Sequence, residues 1–235
     1  MFTDIHAHIL HSIDDGPESL EQSVLLLNKA VQSGVGGIIT TPHFYASRHS
    51  LAERLELANK RYSELKKSIH QNGIPVSLLL GFEVRYFNGI SRIDSLDKLC
   101  INGSKVLLLE LEPVPFTEDV IDEILDISYS GYKVVLAHIE RYTKISGFKQ
   151  IKRLISQGDV IAQCNAASFL SGALVRAAFR LMKENMVSLI ASDMHSMDLR
   201  PPNLSEAYEV IENKLGKNTK NKLISNAENV FNMCL

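Results

Sequence analysis

The amino-acid sequence predicts an α/β fold: a largely parallel sheet with helical crossovers, either open or closed into a barrel. Two observations carry this expectation. Seven short runs rich in Val, Ile and Leu recur along the 235 residues, and longer amphipathic segments alternate with them. Near-continuous apolar runs suit strands buried on both faces, and repeated strand–helix order is what βαβ units produce.

The expected strands are Phe2 to His6, Gly37 to Thr41, Val76 to Glu83, Val106 to Glu110, Lys133 to His138, Val160 to Cys164 and Val187 to Ser192. Between the first two, Pro17 to Ser33 carries Leu20, Val24, Leu27 and Val31 at three- and four-residue spacing, the stripe of a helix packed on a sheet. Pro17-Glu18 opens it favourably and Gly34 stops it. Ser50 to Gln71 reads as a long charged helix ending near Asn72-Gly73. Thr117 to Ser130 begins with a cap-forming threonine and two acids and stops at Gly131. Helices over Gly147 to Gln157, Leu174 to Glu184 and Leu204 to Leu215 follow, with a last one from about Thr219. No linker, low-complexity tract or repeat interrupts this order, so residues 1–235 are expected to form a single domain.

Composition narrows the partners. At 45% hydrophobic and 22% charged, the chain has ordinary globular character. A net charge of −2 gives no general attraction to nucleic acid or anionic membranes. The basic stretches Lys66-Lys67 and Lys214 to Lys222 read as solvated helix faces. No run approaches the ~20 apolar residues that span a bilayer, and the start lacks the features of a secretory signal. Cys100, Cys164 and Cys234 form neither a disulfide framework nor a paired-cysteine zinc motif. A cytoplasmic protein with neither nucleic-acid binding nor membrane insertion is expected.

The strand ends carry the chemistry. His6 and His8, two residues apart, point to one face of a strand and can present two imidazoles to one cation. The following ends carry His43, Glu83, Glu110, His138 and then Asp193 with His195; the sixth ends in Gln163-Cys164-Asn165. Functional groups of parallel barrels gather at the carboxyl ends of the strands. Carboxylates beside the apolar runs Leu78-Leu79-Leu80 and Leu107-Leu108-Leu109 must be paired or coordinated, and several divalent cations would satisfy them together. Imidazoles and carboxylates without thiolate suit Mn, Fe or Zn, manganese first, and a bridging carboxylate permits two metals ~3.5–4 Å apart. Arg141 and Arg200 leave the same rim, and their planar guanidinium forks match phosphate oxygens. A phosphate-containing substrate follows.

His6-x-His8, Asp14-Asp15-Gly16-Pro17, Thr41-Pro42-His43, Gly81-Phe82-Glu83, Leu109-Glu110, Ala137-His138-Ile139-Glu140-Arg141-Tyr142 and Ala191-Ser192-Asp193-Met194-His195 resemble the polymerase and histidinol phosphatase (PHP) superfamily. More closely they resemble its bacterial capsule- and exopolysaccharide-associated protein-tyrosine phosphatases. That resemblance implies a distorted seven-stranded (β/α)7 TIM-like barrel and a trinuclear centre with two or three Mn ions, or Fe or Zn. By carry-over, His6, His8, Glu83 and Asp193 would hold one metal. Glu83, Glu110 and His138 would hold a second, and Asp15, His43 and His195 the third. Asp15 is preferred to Asp14 because the family's acid directly precedes the glycine. Glu110, where many superfamily members carry His, points to the tyrosine phosphatase branch.

The implied reaction is phosphotyrosine hydrolysis by metal-activated hydroxide, with Arg141 and Arg200 on the phosphate. The implied partner is the tyrosine-rich tail of a polysaccharide-assembly kinase. A cysteine nucleophile is not expected: cysteine phosphatases carry arginine six residues on, where this chain has Val106 after Cys100 and Leu170 after Cys164. A PHP phosphoesterase acting on histidinol phosphate or another small ester is the rival reading. A rim of Tyr45, Arg48, Arg85, Tyr86 and Phe87 would suit either. An amidohydrolase also opens with His-x-His, but Asp193-x-His195 and the two acids disfavour it. A non-hydrolysing phosphoprotein binder is disfavoured by the completeness of the site.

Overall fold

The computed structural model describes residues 1–235, in which nine strands form two parallel sheets. The first sheet has the order β1-β2-β4: β1 is Phe2–Ala7, β2 Val35–Thr40 and β4 Ser77–Leu80. The second has the order β3-β5-β6-β7-β8-β9: β3 His43–Phe44, β5 Glu83–Arg85, β6 Val106–Glu110, β7 Lys133–Leu136, β8 Val160–Asn165 and β9 Leu189–Ala191.

Strands form in all seven expected regions. Val76 to Glu83, expected as one strand, divides at Gly81-Phe82, and a matching break at Thr41-Pro42 separates β2, the second expected run, from β3, which was not expected. The two breaks lie level, since β2 pairs with β4 and β3 with β5. Proline has no N–H to donate to a ladder, and Gly81 sits where a Cβ would lie 2.9 Å from the Ile101 side chain. Gly81 N donates to Thr40 O (2.8 Å) and Glu83 N to Pro42 O (3.2 Å), carrying the pairing across the gap. The remaining edges, β1 and β9, meet through a parallel bridge between Ala7 and Met194. His8 N donates to Met194 O (2.9 Å) and Asp193 N to His6 O (3.0 Å). Below that seam, Asp4 accepts from the backbone N (3.1 Å) and the hydroxyl of Ser192.

The helices are α1 Leu20–Gln32, α2 Leu51–Gln71, α3 Glu118–Tyr129, α4 Gly147–Ile155, α5 Ala167–Leu170, α6 Val175–Lys183, α7 Leu204–Leu215 and α8 Lys217–Met233. The first starts later than Pro17 because Ser19, not the proline, caps it: its hydroxyl accepts from Gln22 N. Thr117 caps α3 as expected. The short turns Ile90–Arg92, Leu96–Leu99, Ile101–Gly103 and Ile139–Lys144 were not expected; three-residue periodicity over so few residues leaves no apolar stripe.

Apolar side chains fill two regions. The larger cluster lies between strands and helices. A smaller one, built mainly from strand residues, contains Ile5, Ile39, Leu79, Leu108, Val135 and Leu189. Helix α8 packs Ala227, Val230 and Phe231 on it, and Gly37 admits the Phe231 ring, which a Cβ would meet at 3.3 Å. No helix is long and apolar enough to cross a membrane.

Candidate metal centre

The polar side chains at the strand ends converge. β1 delivers His6, and His8 follows it; both are fully buried, with Nε2 atoms 3.1 Å apart. The outer nitrogens are occupied. His8 Nδ1 donates to Asp14 Oδ2 (2.9 Å) and His6 Nδ1 to Gln163 Oε1 (3.1 Å).

A single backbone N–H orders the next set. His138 N donates to Gln163 Oε1 (3.4 Å), which fixes that amide's orientation. Gln163 Nε2 therefore donates to Asn165 Oδ1 (2.9 Å), and Asn165 Oδ1 can only accept from His138 Nδ1 (2.7 Å). Asn165 Nδ2 in turn donates to Asp193 Oδ2 (2.8 Å). Both His6 and His138 thus keep a proton on Nδ1 and turn Nε2 inward, the usual arrangement behind metal-binding imidazoles.

Glu83 occupies the middle. Its Oε1 is 2.7 Å from His138 Nε2 and 3.5 Å from His6 Nε2. Its Oε2 is 3.3 Å from His8 Nε2 and 2.7 Å from His43 Nδ1. Asp193 Oδ1 lies 3.6 Å from both His6 and His8 Nε2. Asp15 Oδ1 faces His195 Nε2 (3.3 Å) and His43 Nε2 (3.4 Å). Glu110 Oε1 is 4.0 Å from His138 Nε2, and its Oε2 is 3.0 Å from Arg85 Nη2. The two neighbouring acids are divided: Asp14 backs His8, while Asp15 turns towards the imidazoles. Gly16 permits that turn, since a Cβ there would lie 2.4 Å from His8 O.

His138 and Asp193 both adopt left-handed backbone (φ 53° and 54°), a conformation costing a non-glycine residue roughly 1–2 kcal/mol. It takes His138 out of the expected strand, which ends at Leu136, and swings both side chains over the site. Such strain persists where surrounding contacts over-determine it.

Four overlapping groups of donor atoms lie within 4.8 Å of one another: His8, Asp15, His43 and His195; His6, His138 and Asp193; His6, His8 and Glu83; His43, Glu83 and Glu110. All nine expected ligands fall in them. Four of their buried atoms, His43 Nδ1, Glu83 Oε2, Glu110 Oε2 and His195 Nε2, lie beside charged neighbours without a well-formed hydrogen bond. Buried polar atoms are normally paired. A set of inward imidazole nitrogens and carboxylate oxygens crowded this closely fits divalent cations.

The charges are strongly coupled. Burial opposes ionisation of Asp193, but His138, His6 and His8 outweigh it and hold the carboxyl at about 2. Asp14 is likewise held at about 2, burial being overcome by the His8 charge and hydrogen bond. Desolvation disfavours a charged His43, yet the Asp15 and Glu83 carboxylates beside it lift it to about 9. Glu110 goes the other way: burial and the Glu83 charge raise it. These carboxylates stay ionised only with positive charge among them.

Both expected arginines reach this rim. Arg141 Nη2 donates to Asp193 Oδ2 (3.3 Å) and Nη1 lies 3.5 Å from Glu110 Oε1; Arg200 pairs with Asp15. About two-fifths of each side chain remains exposed. Tyr45 stacks on His43 with ring centroids 5.1 Å apart, and Arg48 and Arg85 lie over its ring. Tyr86 and Phe87 do not belong to the rim. The Tyr86 hydroxyl donates to Glu123 of α3 (2.6 Å) and Phe87 packs against the main core. The cysteines are all buried.

Sequence reasoning missed the supports. Gln163 and Asn165 obey the same two-residue spacing that singled out His6 and His8, so that rule applied to amides would have found them. Arg54 of α2, nearly buried, clamps His43 O with Nε (2.9 Å) and Ile13 O with Nη1 (2.6 Å); a charged helix gives no sign of it. Glu140 accepts from Asn165 N (3.2 Å) and the Ser168 hydroxyl (2.8 Å), joining the Ile139–Lys144 turn to β8 and α5.

The family model described as capsular polysaccharide synthesis, CpsB/CapC, matches residues 2–232. The tyrosine-protein phosphatase CpsB of Streptococcus agalactiae serotype III (strain NEM316) is 31% identical over 97% of both chains. The tyrosine-protein phosphatase YwqE of Bacillus subtilis (strain 168) is 28% identical over 96% of this chain and 89% of its own. Among solved structures, one from a study of YwqE of B. subtilis and CpsB of Streptococcus pneumoniae, described as unique metal-dependent tyrosine phosphatases, superposes with a TM-score of 0.86 at 26% identity. It covers 99% of this chain and 95% of that one. An amidohydrolase structure at 12% identity and a TM-score of 0.57 shares the fold alone.

Proposed function

The chain belongs to the capsular polysaccharide synthesis family CpsB/CapC, and from that premise we propose that it is a metal-dependent tyrosine phosphatase whose centre is the cluster around Glu83. The observation that carries the reading is Arg141. It reaches across Glu110 and Asp193 at the mouth of a buried imidazole–carboxylate cluster, where a phosphate would meet guanidinium and cations together.

We assign His6, His8, Glu83 and Asp193 to one metal, Glu83, Glu110 and His138 to a second, and Asp15, His43 and His195 to a third. Manganese is the metal proposed, with iron and zinc as alternatives. Bound cations would supply Lewis acidity, neutralising phosphate charge and acidifying water. The protein's own part is positional. The Gln163–Asn165 pair holds two imidazoles in their Nδ1–H form, and Asp14 does the same for His8. Arg141 and Arg200 orient the phosphate and neutralise charge developing on its equatorial oxygens. The leaving phenol, with a pKa of ~10, demands less protonation than an alkyl alcohol, and no residue is assigned as general acid.

The fold reading is a distorted seven-stranded barrel, residues 1–235 forming one domain. It is supported by the β1–β9 hydrogen bonds that join the outer edges of the two sheets. The substrate proposed is the tyrosine-phosphorylated tail of a cytoplasmic polysaccharide-assembly kinase, a choice supported by the family's description. Rates on a phosphotyrosine peptide, a phosphoserine peptide and histidinol phosphate, measured with added manganese, test the reading. Phosphotyrosine should be hydrolysed fastest; preference for histidinol phosphate would transfer the site to small esters.

A further inference from the structure

Eight large apolar side chains are exposed. Met1, Met233 and Leu235 lie at or beside the chain ends. Of the other five, Leu25, Met197 and Leu199 line one cleft of about 420 Å³. Its inner end is formed by Asp15, His195 and Arg200, so the cleft is continuous with the metal cluster. One wall is the start of α1, whose buried stripe is carried by Leu26, Leu27 and Ala30, leaving Leu25 outside. The other is the turn Ser196–Arg200.

That turn is built rather than loose. Ser196 N and His195 N donate to Arg200 O (3.2 and 2.9 Å), and the Ser196 hydroxyl accepts from Leu199 N (3.1 Å) and Arg200 N (3.3 Å). The turn holds Leu199 with 90% of its surface in water while Arg200 faces inward to Asp15. Exposing a leucine on a hydrogen-bonded turn beside a phosphate-type arginine is costly unless something covers it. Glu18 and Asp198, both exposed, add negative charge to the same walls.

We infer that this cleft is the subsite for the substrate chain beside the phosphotyrosine, seating an apolar side chain on Leu25, Met197 and Leu199 with a basic residue next to it. The inference rests on the phosphatase reading, and it specifies which phosphotyrosine sequences are taken. Because the turn is already ordered, little conformational entropy is lost on binding. The contact serves substrate capture and acts on KM.

The test is a set of phosphotyrosine peptides in which each flanking position is Leu, Lys or Asp, assayed alongside free phosphotyrosine and an aryl phosphate. The wild type and a Leu25→Ser, Leu199→Ser double variant are compared. The wild type should prefer an apolar residue with a neighbouring Lys on one side of the phosphotyrosine and disfavour Asp there. The double variant should lose roughly tenfold in kcat/KM on the preferred peptides, through KM, and match the wild type on free phosphotyrosine. Equal wild-type rates across the peptides would overturn the inference while leaving the phosphatase reading intact. An equal loss on every substrate would do the same, as would a dimer that the double variant dissolves without altering peptide selection. No wild-type hydrolysis of any phosphotyrosine compound would overturn both.

Discussion

Replacing Asn165 by leucine, a side chain of similar size, removes the amide that orders the site from behind. Three hydrogen bonds go: from His138 Nδ1 (2.7 Å), from Gln163 Nε2 (2.9 Å) and to Asp193 Oδ2 (2.8 Å). Two neutral bonds at about 1 kcal/mol each and one to a charged group at about 1.5–3 kcal/mol total roughly 3.5–5 kcal/mol. Part of this falls on metal affinity. Loss of a partner behind a ligand costs about 10–100-fold, or roughly 1.4–2.7 kcal/mol. The remainder, about 2 kcal/mol, should lower Tm of the metal-free protein by roughly 4–8 °C for a domain of this size. The assay is recovery of activity on metal titration after chelation, with a thermal melt of the metal-free variant. A metal midpoint within about twofold of wild type would refute the claim that this amide sets the His138 tautomer and steadies Asp193.

Three further outcomes follow from the same contacts. Ser192→Ala removes the hydroxyl that donates to Asp4 and accepts from Met194 N (3.1 Å) at the β1–β9 seam; it should cost about 1–3 kcal/mol in urea unfolding, and an unchanged midpoint would deny the seam its role. Arg141→Ala should keep its metal and lose about 10²–10³-fold in kcat/KM; metal loss on elemental analysis would instead make Arg141 a structural partner of Asp193. Asp14, held at about 2 against an ordinary 3.8, is depressed on folding. Its contribution, about 2 kcal/mol, is therefore complete above pH ~4 and lost as pH falls towards about 2. The stability gap between wild type and Asp14→Asn should close over that window, and a gap independent of pH would contradict the assignment.

The parts legible in the sequence were those with a period or a spacing. Apolar runs located strands in all seven expected regions, and the apolar stripe of α1 gave that helix to within a few residues. The ligand cluster was legible because most members lie at or just past the end of an apolar run, and strand ends of a parallel sheet converge; in the structure His43 and Glu83 open the short β3 and β5, and Asp15 lies in the loop after β1. What escaped was set by tertiary contact. The break at Gly81-Phe82 depends on Ile101, twenty residues on, approaching the glycine. Tyr86 sits beside the expected rim in sequence, but Glu123 draws its hydroxyl to α3. The Asp14-Asp15 pair could be ordered by analogy only; the structure separates the two by what each faces, His8 Nδ1 for one and the His43–His195 pair for the other.

The central claim is that phosphotyrosine hydrolysis belongs to the cluster around Glu83 and its cations. The direct measurement is phosphotyrosine peptide hydrolysis by the chelated protein, then by the same sample on stepwise return of manganese with metal content counted at each step, for wild type and His6→Ala. The chelated protein should show no turnover, wild-type activity should recover as two or three ions bind per chain, and His6→Ala should regain neither full metal nor activity. Undiminished hydrolysis by the metal-free wild type, or full activity and metal in His6→Ala, would contradict the claim.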